Sequence, residues 1–145
     1  MRIFIPLYFA VVTLSAENWP GWRGPNGDGI SNEKIAPKKW SDTKNIFWKK
    51  PIQGKGHSSP IVWGDRVFVT TSLTDQNERR LLCLDRLTGK VLWDNLVVKS
   101  LPESIHRLNS RASGTPATDG RQIFVTFMRA VGKKVIAPNV GSDRM

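Results

Sequence analysis

Short apolar runs separated by turn-forming residues make up much of the chain. Two such runs, at positions 61–63 and 67–69, flank the dipeptide Gly64-Asp65. A two-residue turn containing glycine between β-branched runs predicts a β-hairpin. A second hairpin is predicted in "RLLCLDRLTGKVLW", with its turn at Thr88-Gly89. We therefore expect residues 58–93 to form a four-stranded antiparallel meander.

A further strand is predicted before this meander. In "SDTKNIFWKKPI", Ile46 and Trp48 alternate with their neighbours, and Pro51 follows them. Alternation with a period of two is typical of a strand, and proline is typical of a strand end.

The pattern of the first hairpin recurs later in the chain. "SPIVWGDRVFVT" at 59–70 aligns with "TPATDGRQIFVT" at 115–126, so that Pro60 matches Pro116 and Phe68 matches Phe124 at a constant offset of 56 residues. The stretch "KSLPESIHRLNSRAS" between them is expected to be a long loop. Four-stranded units that repeat every roughly 40–50 residues are typical of β-propeller blades, and a loop insertion accounts for the longer offset.

The first sixteen residues differ from the rest. Arg2 is followed by an apolar run at positions 3–14 and by the small residues Ser15 and Ala16, a pattern that predicts a secretory signal peptide. The run is shorter than the ~20 residues that span a bilayer. We expect an exported protein, periplasmic or extracellular, with no transmembrane span after cleavage. The alternative is a buried N-terminal strand or helix.

Composition and charge narrow the class of protein. The chain has 145 residues, 39% of them hydrophobic, and six tryptophans, as expected for a folded domain. The net charge is +10, but the basic residues are scattered in pairs among predicted strands and turns. Because no basic helix or aromatic-plus-basic platform is present, we expect no nucleic-acid partner. The charge is interpreted as solvated surface, with a charge-driven surface-binding protein as the alternative.

Cys83 is the only cysteine, which excludes an intrachain disulfide and a cysteine metal cluster. Its neighbours in "RLLCLD" are apolar at strand spacing, so it is interpreted as a small core residue. A reactive thiol is the alternative.

Residues 81–93, "LLCLDRLTGKVLW", resemble the repeat of quinoprotein-like β-propellers, in which an Ala-Leu-Asp, a Thr-Gly and a Trp recur. Asp85, Thr88, Gly89 and Trp93 match this pattern, and Cys83 stands where alanine is usual. The stretch "WPGWRGPNGDGIS" is similar to the N-terminal region of exported PQQ-binding-like repeat proteins. The resemblance covers residues 18–127 and implies an all-β fold of antiparallel four-stranded blades of a β-propeller, incomplete in this chain.

The resemblance also implies roles for the motif residues. Trp93 would lie at a strand end and dock between blades, Gly89 would adopt a positive φ, and Asp85 and Thr88 would form hydrogen bonds across the turn. Trp19 and Trp22 would be packing anchors of a segment that runs along the ring.

The implied division of the chain is a signal peptide at 1–16, an N-terminal cap or closing segment at 17–56, a first blade at 57–98, and an inter-blade loop with a partial second blade at 99–145. Beyond position 127 only one candidate strand, at 135–137, is predicted, and the tail resembles a broken end. Missing blades or further copies would be needed to close the ring.

Few residues predict chemistry. A calcium loop over positions 24–35 would have Gly24 and Ile35 where carboxylates are needed, and Gly54-Lys55-Gly56 lacks the Ser or Thr of a phosphate loop. His57 stands beside serines but without a nucleophile elbow, so it is interpreted as a loop residue. We predict no catalytic residue and no metal ligand, and cofactor-binding residues stay unassigned. His106 and Arg107, in the inter-blade loop, are weak ligand candidates.

These observations favour a non-catalytic binding or assembly scaffold with a protein or envelope partner. The alternative is a truncated PQQ-dependent dehydrogenase-like oxidoreductase whose cofactor site lies in missing blades. No cofactor is expected in this fragment, and PQQ and calcium would belong only to a full-length parent. Whether the parent is an enzyme stays open.

Overall fold

The computed structural model describes residues 16–34, 36–131 and 134–144. The predicted signal peptide, apart from Ala16, lies outside the described residues.

The first sheet is a four-stranded antiparallel meander whose strands lie in chain order. A short 3-10 helix, Thr74–Gln76, connects the second and third strands. The meander confirms the two predicted hairpins, with Gly64-Asp65 and Thr88-Gly89 in their turns. Its strands are β1 (Ile61–Trp63), β2 (Arg66–Leu73), β3 (Glu78–Asp85) and β4 (Val91–Lys99).

The second sheet has three antiparallel strands in chain order: β5 (Ala117–Thr118), β6 (Gln122–Val131) and β7 (Lys134–Arg144). In β5 and β6, Ala117 is paired with Phe124, just as Ile61 is paired with Phe68 in β1 and β2. The two pairs differ by 56 positions, so the repeat predicted from the sequence is confirmed as a repeat of strand register.

The prediction for the tail was too short. Only residues 135–137 were expected to be a strand, whereas β7 extends over 11 residues and is paired with β6 along most of its length. The register shifts where Met128 stands opposite the Ala137-Pro138 dipeptide. A β-bulge places proline in a strand without the ladder hydrogen bond that it cannot donate. Pro138 interrupts the alternating pattern in the sequence, and the bulge accommodates it in the sheet.

The strand predicted around Ile46 and Trp48 is wrong. Residues 41–50 form no strand, and Phe47 is 95% exposed. The segment is held to the first sheet by side-chain hydrogen bonds instead of ladder pairing: Trp48 Nε1 donates to the Arg86 carbonyl at 2.8 Å and Thr71 Oγ1 donates to the Gln53 carbonyl at 2.7 Å. Alternation of apolar and polar residues favours a half-buried strand, but residues 41–50 are not paired with any strand of the sheet.

The two sheets share one hydrophobic core. The first sheet contributes Ile61, Phe68, Leu81, Cys83 and Val98, and the second sheet with its preceding loop contributes Ala112, Ile123, Val125 and Phe127. Cys83 is fully buried, which confirms its interpretation as a core residue, and burial raises the pKa of its thiol. A raised pKa disfavours the thiolate that a reactive cysteine needs.

The N-terminal segment joins the two sheets. Trp19 and Val62 exchange two backbone hydrogen bonds, of 2.7 and 3.0 Å, at the free edge of β1. The carbonyl of Pro20 accepts a hydrogen bond of 2.9 Å from Thr118 N–H in β5. Residues 19–20 therefore contact both sheets, and we refer to them as the strap.

Of the two tryptophans expected to be packing anchors, only Trp19 packs. Its ring lies against Gly24, where a Cβ atom would come within 2.7 Å of it. Trp22 is 69% exposed and lies beside the guanidinium of Arg23, 5.4 Å from the centre of its ring.

Candidate ligand-binding cavity

The repeat-signature residues form a tight turn between β3 and β4. Asp85 Oδ1 accepts hydrogen bonds from Leu87 N–H at 3.1 Å, from Thr88 N–H at 2.7 Å and from Thr88 Oγ1 at 2.7 Å. The Thr88 hydroxyl, followed by the backbone N–H groups, lowers the pKa of Asp85. Every one of these contacts is local to the turn, so Asp85 and Thr88 stabilise the hairpin.

Gly89 combines a positive φ of 69° with close contact to a distant tryptophan. A Cβ atom at this position would lie 2.6 Å from the Trp48 ring. The turn therefore has two roles: it connects β3 with β4, and it holds the segment that precedes the sheet.

Trp93 lies in β4, two residues from its start, and is paired with Cys83 of β3. It packs on the edge of the shared core, and its ring centre lies 5.9 Å from that of Phe68. All four signature residues therefore stabilise the fold, through the turn or through the core.

A cavity of about 530 Å³ lies at one end of the first sheet, away from these four residues. Three segments line it: residues 53–55 before β1, residues 72–76 at the end of β2 and in the 3-10 helix, and residues 105–107 and 109–111 of the inter-sheet loop. His106 and Arg107, the weak ligand candidates, lie in its wall. The volume is within the range of roughly 300–1,000 Å³ that is usual for small-molecule sites.

Glu103 holds the loop that carries His106 and Arg107. Its carboxylate is 2% exposed and forms a buried ion pair with Arg79, which is 1% exposed. Its carbonyl accepts hydrogen bonds from Arg111 Nε at 3.2 Å and Nη2 at 2.6 Å. A buried ion pair of this kind fixes a loop, because a partner left alone would be an uncompensated buried charge.

Backbone hydrogen bonds hold the other walls. Lys55 and Ser72 exchange two of them, each 3.0 Å long, so the first wall is joined to the end of β2. The carbonyl of Ala112 accepts from His57 N–H at 3.0 Å and from Ser58 N–H at 3.2 Å. The cavity is therefore largely preformed.

The cavity wall carries more positive than negative charge. Lys55, Arg107 and Arg111 contribute cations, and Asp75 is the one carboxylate among the lining residues. His106 Nδ1 accepts a hydrogen bond from Leu108 N–H at 3.3 Å. In that tautomer the proton of a neutral imidazole is on Nε2, which leaves Nε2 as a donor.

Sequence reasoning identified two of these residues and missed Lys55, Asp75 and Arg111, which come from separate loops. Loop position and polarity gave the signal for His106 and Arg107, but no local pattern shows that three loops converge. His57 is exposed, and its backbone joins the inter-sheet loop. Among the described residues, no three His, Cys, Asp or Glu side chains are grouped so that they could hold a metal ion.

Comparison with known proteins gives one match. A family model described as outer membrane protein assembly factor BamB matches residues 39–142, more than two thirds of the chain. No curated protein and no solved structure matches the chain. In the part of the chain that the structure describes, no helix has the length and apolar character to cross a bilayer.

Proposed function

Because the chain belongs to the outer membrane protein assembly factor BamB family of PQQ-like β-propeller repeat proteins, we propose that it acts as a non-catalytic binding or assembly scaffold at the cell envelope. The two antiparallel sheets are part of a propeller, and in the described residues they do not close a ring. The family is described as an assembly factor, a role that is carried out by contacts with other proteins.

One observation supports this role most directly: three large aromatic side chains before β1 are exposed. Trp22 and Trp40 are each 69% exposed and Phe47 is 95% exposed. Aromatic side chains are enriched at protein interfaces, where they supply a large contact area at a low entropy cost. Exposing three of them to water is unfavourable unless a partner covers them.

The backbone next to Phe47 is held to the first sheet. Trp48 is anchored on the β3–β4 turn through Arg86 and Gly89, directly after Phe47. A partner would therefore meet a backbone that is already positioned next to Phe47, which lowers the entropy cost of association. This arrangement suits a scaffold.

Photo-crosslinking at Phe47 tests the proposal. Phe47 is replaced by a photoreactive phenylalanine analogue in the organism that makes the protein, and the same analogue is placed at Arg121, an exposed site in the β5–β6 turn. We expect a discrete protein adduct from position 47 that is absent from position 121. Equal or absent adducts at both positions would contradict a scaffold role for this surface.

The oxidoreductase alternative is tested separately. Thermal unfolding is measured with PQQ and calcium added together and with calcium alone. A saturable rise in melting temperature that needs PQQ would favour the oxidoreductase over the scaffold, because a ligand that binds only the folded state stabilises it. We expect no such rise.

Export is part of the proposal and rests on the N-terminal sequence. Fractionation of cells, with sequencing of the mature N-terminus, is expected to find the protein outside the cytoplasm and cleaved after Ser15 or Ala16. Recovery of the uncleaved chain in the cytoplasm would count against an envelope role.

A further inference from the structure

The cavity at the end of the first sheet has a use that a scaffold role does not require. We propose that it binds a small polar ligand that carries an oxyanion, either a carboxylate or a phosphate. The wall carries more positive than negative charge, some of its hydrogen-bond donors have no partner in the described chain, and hydrogen bonds hold its loops in position.

Two of the three cations that line the cavity lack an ion-pair partner among the described residues, unlike several cations nearby. Arg79, Arg80 and Lys99 each lie within 4.0 Å of a carboxylate. Lys55 and Arg107 have no ion-pair partner among the described residues, and both line the cavity. Two cations from different loops that face one cavity raise the local concentration of anions.

Arg111 contributes a third positive group with a defined orientation. Its Nε and Nη2 atoms donate to the Glu103 carbonyl, and within the described chain its Nη1 has no hydrogen-bond partner. The Glu103 carboxylate lies 3.8 Å from Arg111 Nε and is shared with buried Arg79. Arg111 is therefore held rigidly and retains donor capacity for a ligand.

Neutral groups complete a polar wall. The Nε2 donor of His106 and the side-chain amides of Gln53, Gln76 and Asn109 line the same space. Asn109 Oδ1 already accepts a hydrogen bond of 2.8 Å from Ser110 N–H. Amide and imidazole donors suit a ligand with an oxyanion and further oxygen atoms, and they do not suit an apolar ligand.

The volume of the cavity favours a ligand larger than an inorganic ion. A volume of about 530 Å³ is far larger than a phosphate ion needs. The oxyanion would contact the cations, and the rest of a small metabolite-sized molecule would contact the amide side chains. Asp75, the one acidic group of the wall, would repel a second anionic group on its side of the cavity.

Calorimetric titration of the whole chain tests this inference. The probes are inorganic phosphate and citrate, with glucose as a neutral probe and the ionic strength held constant with sodium chloride. We expect saturable binding of at least one anion and no binding of glucose. Binding of phosphate alone or of citrate alone would identify the oxyanion that the site prefers.

Matched variants show whether the cavity is the site. Lys55→Gln and Arg107→Gln each remove one cation from the wall, and we expect each to weaken anion binding about tenfold. Lys38→Gln and Arg121→Gln remove the same charges from exposed sites outside the cavity and should leave binding within about twofold of the original. Because the side chains of Lys55 and Arg107 are exposed, we expect both variants to keep the unfolding midpoint of the original protein. An unchanged midpoint shows that the variant is folded.

Three outcomes would overturn the inference. The first is no saturable binding of either anion, and the second is equal loss in cavity and control variants, which would indicate attraction by net charge alone. The third is failure of small anions to bind while Arg107→Gln removes the adduct at position 47. In that case the cavity would instead receive an acidic side chain of a protein partner.

Discussion

Asp85, half-buried at the end of β3, and Asp119, exposed in the β5–β6 turn, have carboxylates that accept backbone hydrogen bonds from residues two and three positions ahead. Asp119 Oδ1 accepts from Arg121 N–H at 2.8 Å and from Gln122 N–H at 2.7 Å, and these bonds lower the pKa of Asp119. The contacts of Asp85 are of the same kind, with the Thr88 hydroxyl in addition. At both turns the ionised side chain replaces a backbone partner, so the protonation state of one residue affects the stability of a hairpin.

The lowered pKa of Asp85 predicts a pH dependence of stability. A carboxyl group whose pKa is lower in the folded state contributes stability above its unfolded pKa of about 3.9, and this contribution is lost as the pH falls through the folded value. We expect Asp85→Asn to reduce the free energy of unfolding at pH 7 and to flatten its decline below about pH 4. Denaturant unfolding at a series of pH values measures both effects.

Asp65→Asn serves as the control for that series. Asp65 is exposed in the β1–β2 turn, and its carboxylate has no hydrogen bond within the described chain. Its substitution should leave the shape of the pH profile unchanged. If Asp85→Asn and Asp65→Asn gave the same profile, the hydrogen bonds of Asp85 would not contribute to stability.

Comparing substitutions at Gly89 and Gly64 separates the energetic cost of the backbone conformation from the cost of a steric contact. Both have a positive φ, 69° and 55°, but a Cβ atom at Gly64 would meet nothing within 4 Å, whereas one at Gly89 would meet the Trp48 ring. We expect Gly64→Ala to cost about 1 kcal/mol. Gly89→Ala should cost about 1–3 kcal/mol more, because it also crowds the tryptophan.

Unfolding of each glycine variant in the Trp48→Ala background measures that difference. Removing the ring should bring Gly89→Ala close to Gly64→Ala. A cost at Gly89 that persists without the ring would show that the backbone conformation alone accounts for it.

At the scale of elements, the inter-sheet loop depends on one buried ion pair. We expect Glu103→Gln to lower the free energy of unfolding by about 3–5 kcal/mol, because it leaves the Arg79 charge buried without a counter-charge. Asp42→Asn breaks the exposed Lys49–Asp42 pair, whose carboxylate is fully solvent-exposed, and should leave the free energy of unfolding almost unchanged.

Hydrogen exchange distinguishes a local from a global loss of stability in the Glu103→Gln protein. Amides of residues 100–111 should exchange faster, and those of β2 and β3 should retain their order of protection. Uniformly faster exchange in all strands would show that Glu103 stabilises the whole fold and has no special role in holding the loop.

Local patterns predicted the hairpins, since turn residues and alternation lie within a few positions of each other. They also predicted the repeat, because the same side chains recur at one offset. They failed around Ile46, where alternation occurs without a partner strand, and at β7, where a bulge absorbs Pro138. The cavity could be predicted only in the positions of His106 and Arg107, because Lys55, Asp75 and Arg111 reach it through tertiary contacts.

At the scale of the whole molecule, the strap and the shared core hold the two sheets together. We expect Trp19→Ala to lower the free energy of unfolding by about 2 kcal/mol, since the ring is half-buried against Gly24 and its loss leaves the strap unsupported. Trp22→Ala, at an exposed position, should change it by less than about 0.5 kcal/mol. Denaturant midpoints of the two variants, compared under one condition, check this difference, and equal midpoints would argue against a role for the strap.

One contact between the segments that precede β1 and β5 joins residues that are equivalent in the repeat. Ser59 N–H donates to Thr115 Oγ1 at 3.0 Å, and the two residues are 56 positions apart. A contact between equivalent positions of successive units is head-to-tail: the donor face of one unit meets the acceptor face of the next, and the same rotation and translation can be applied again. Each unit added by that operation presents the surface that the next one needs. Stability in such an array is a sum of unit and nearest-neighbour terms, so every interior unit is stabilised from two sides and a terminal unit from one.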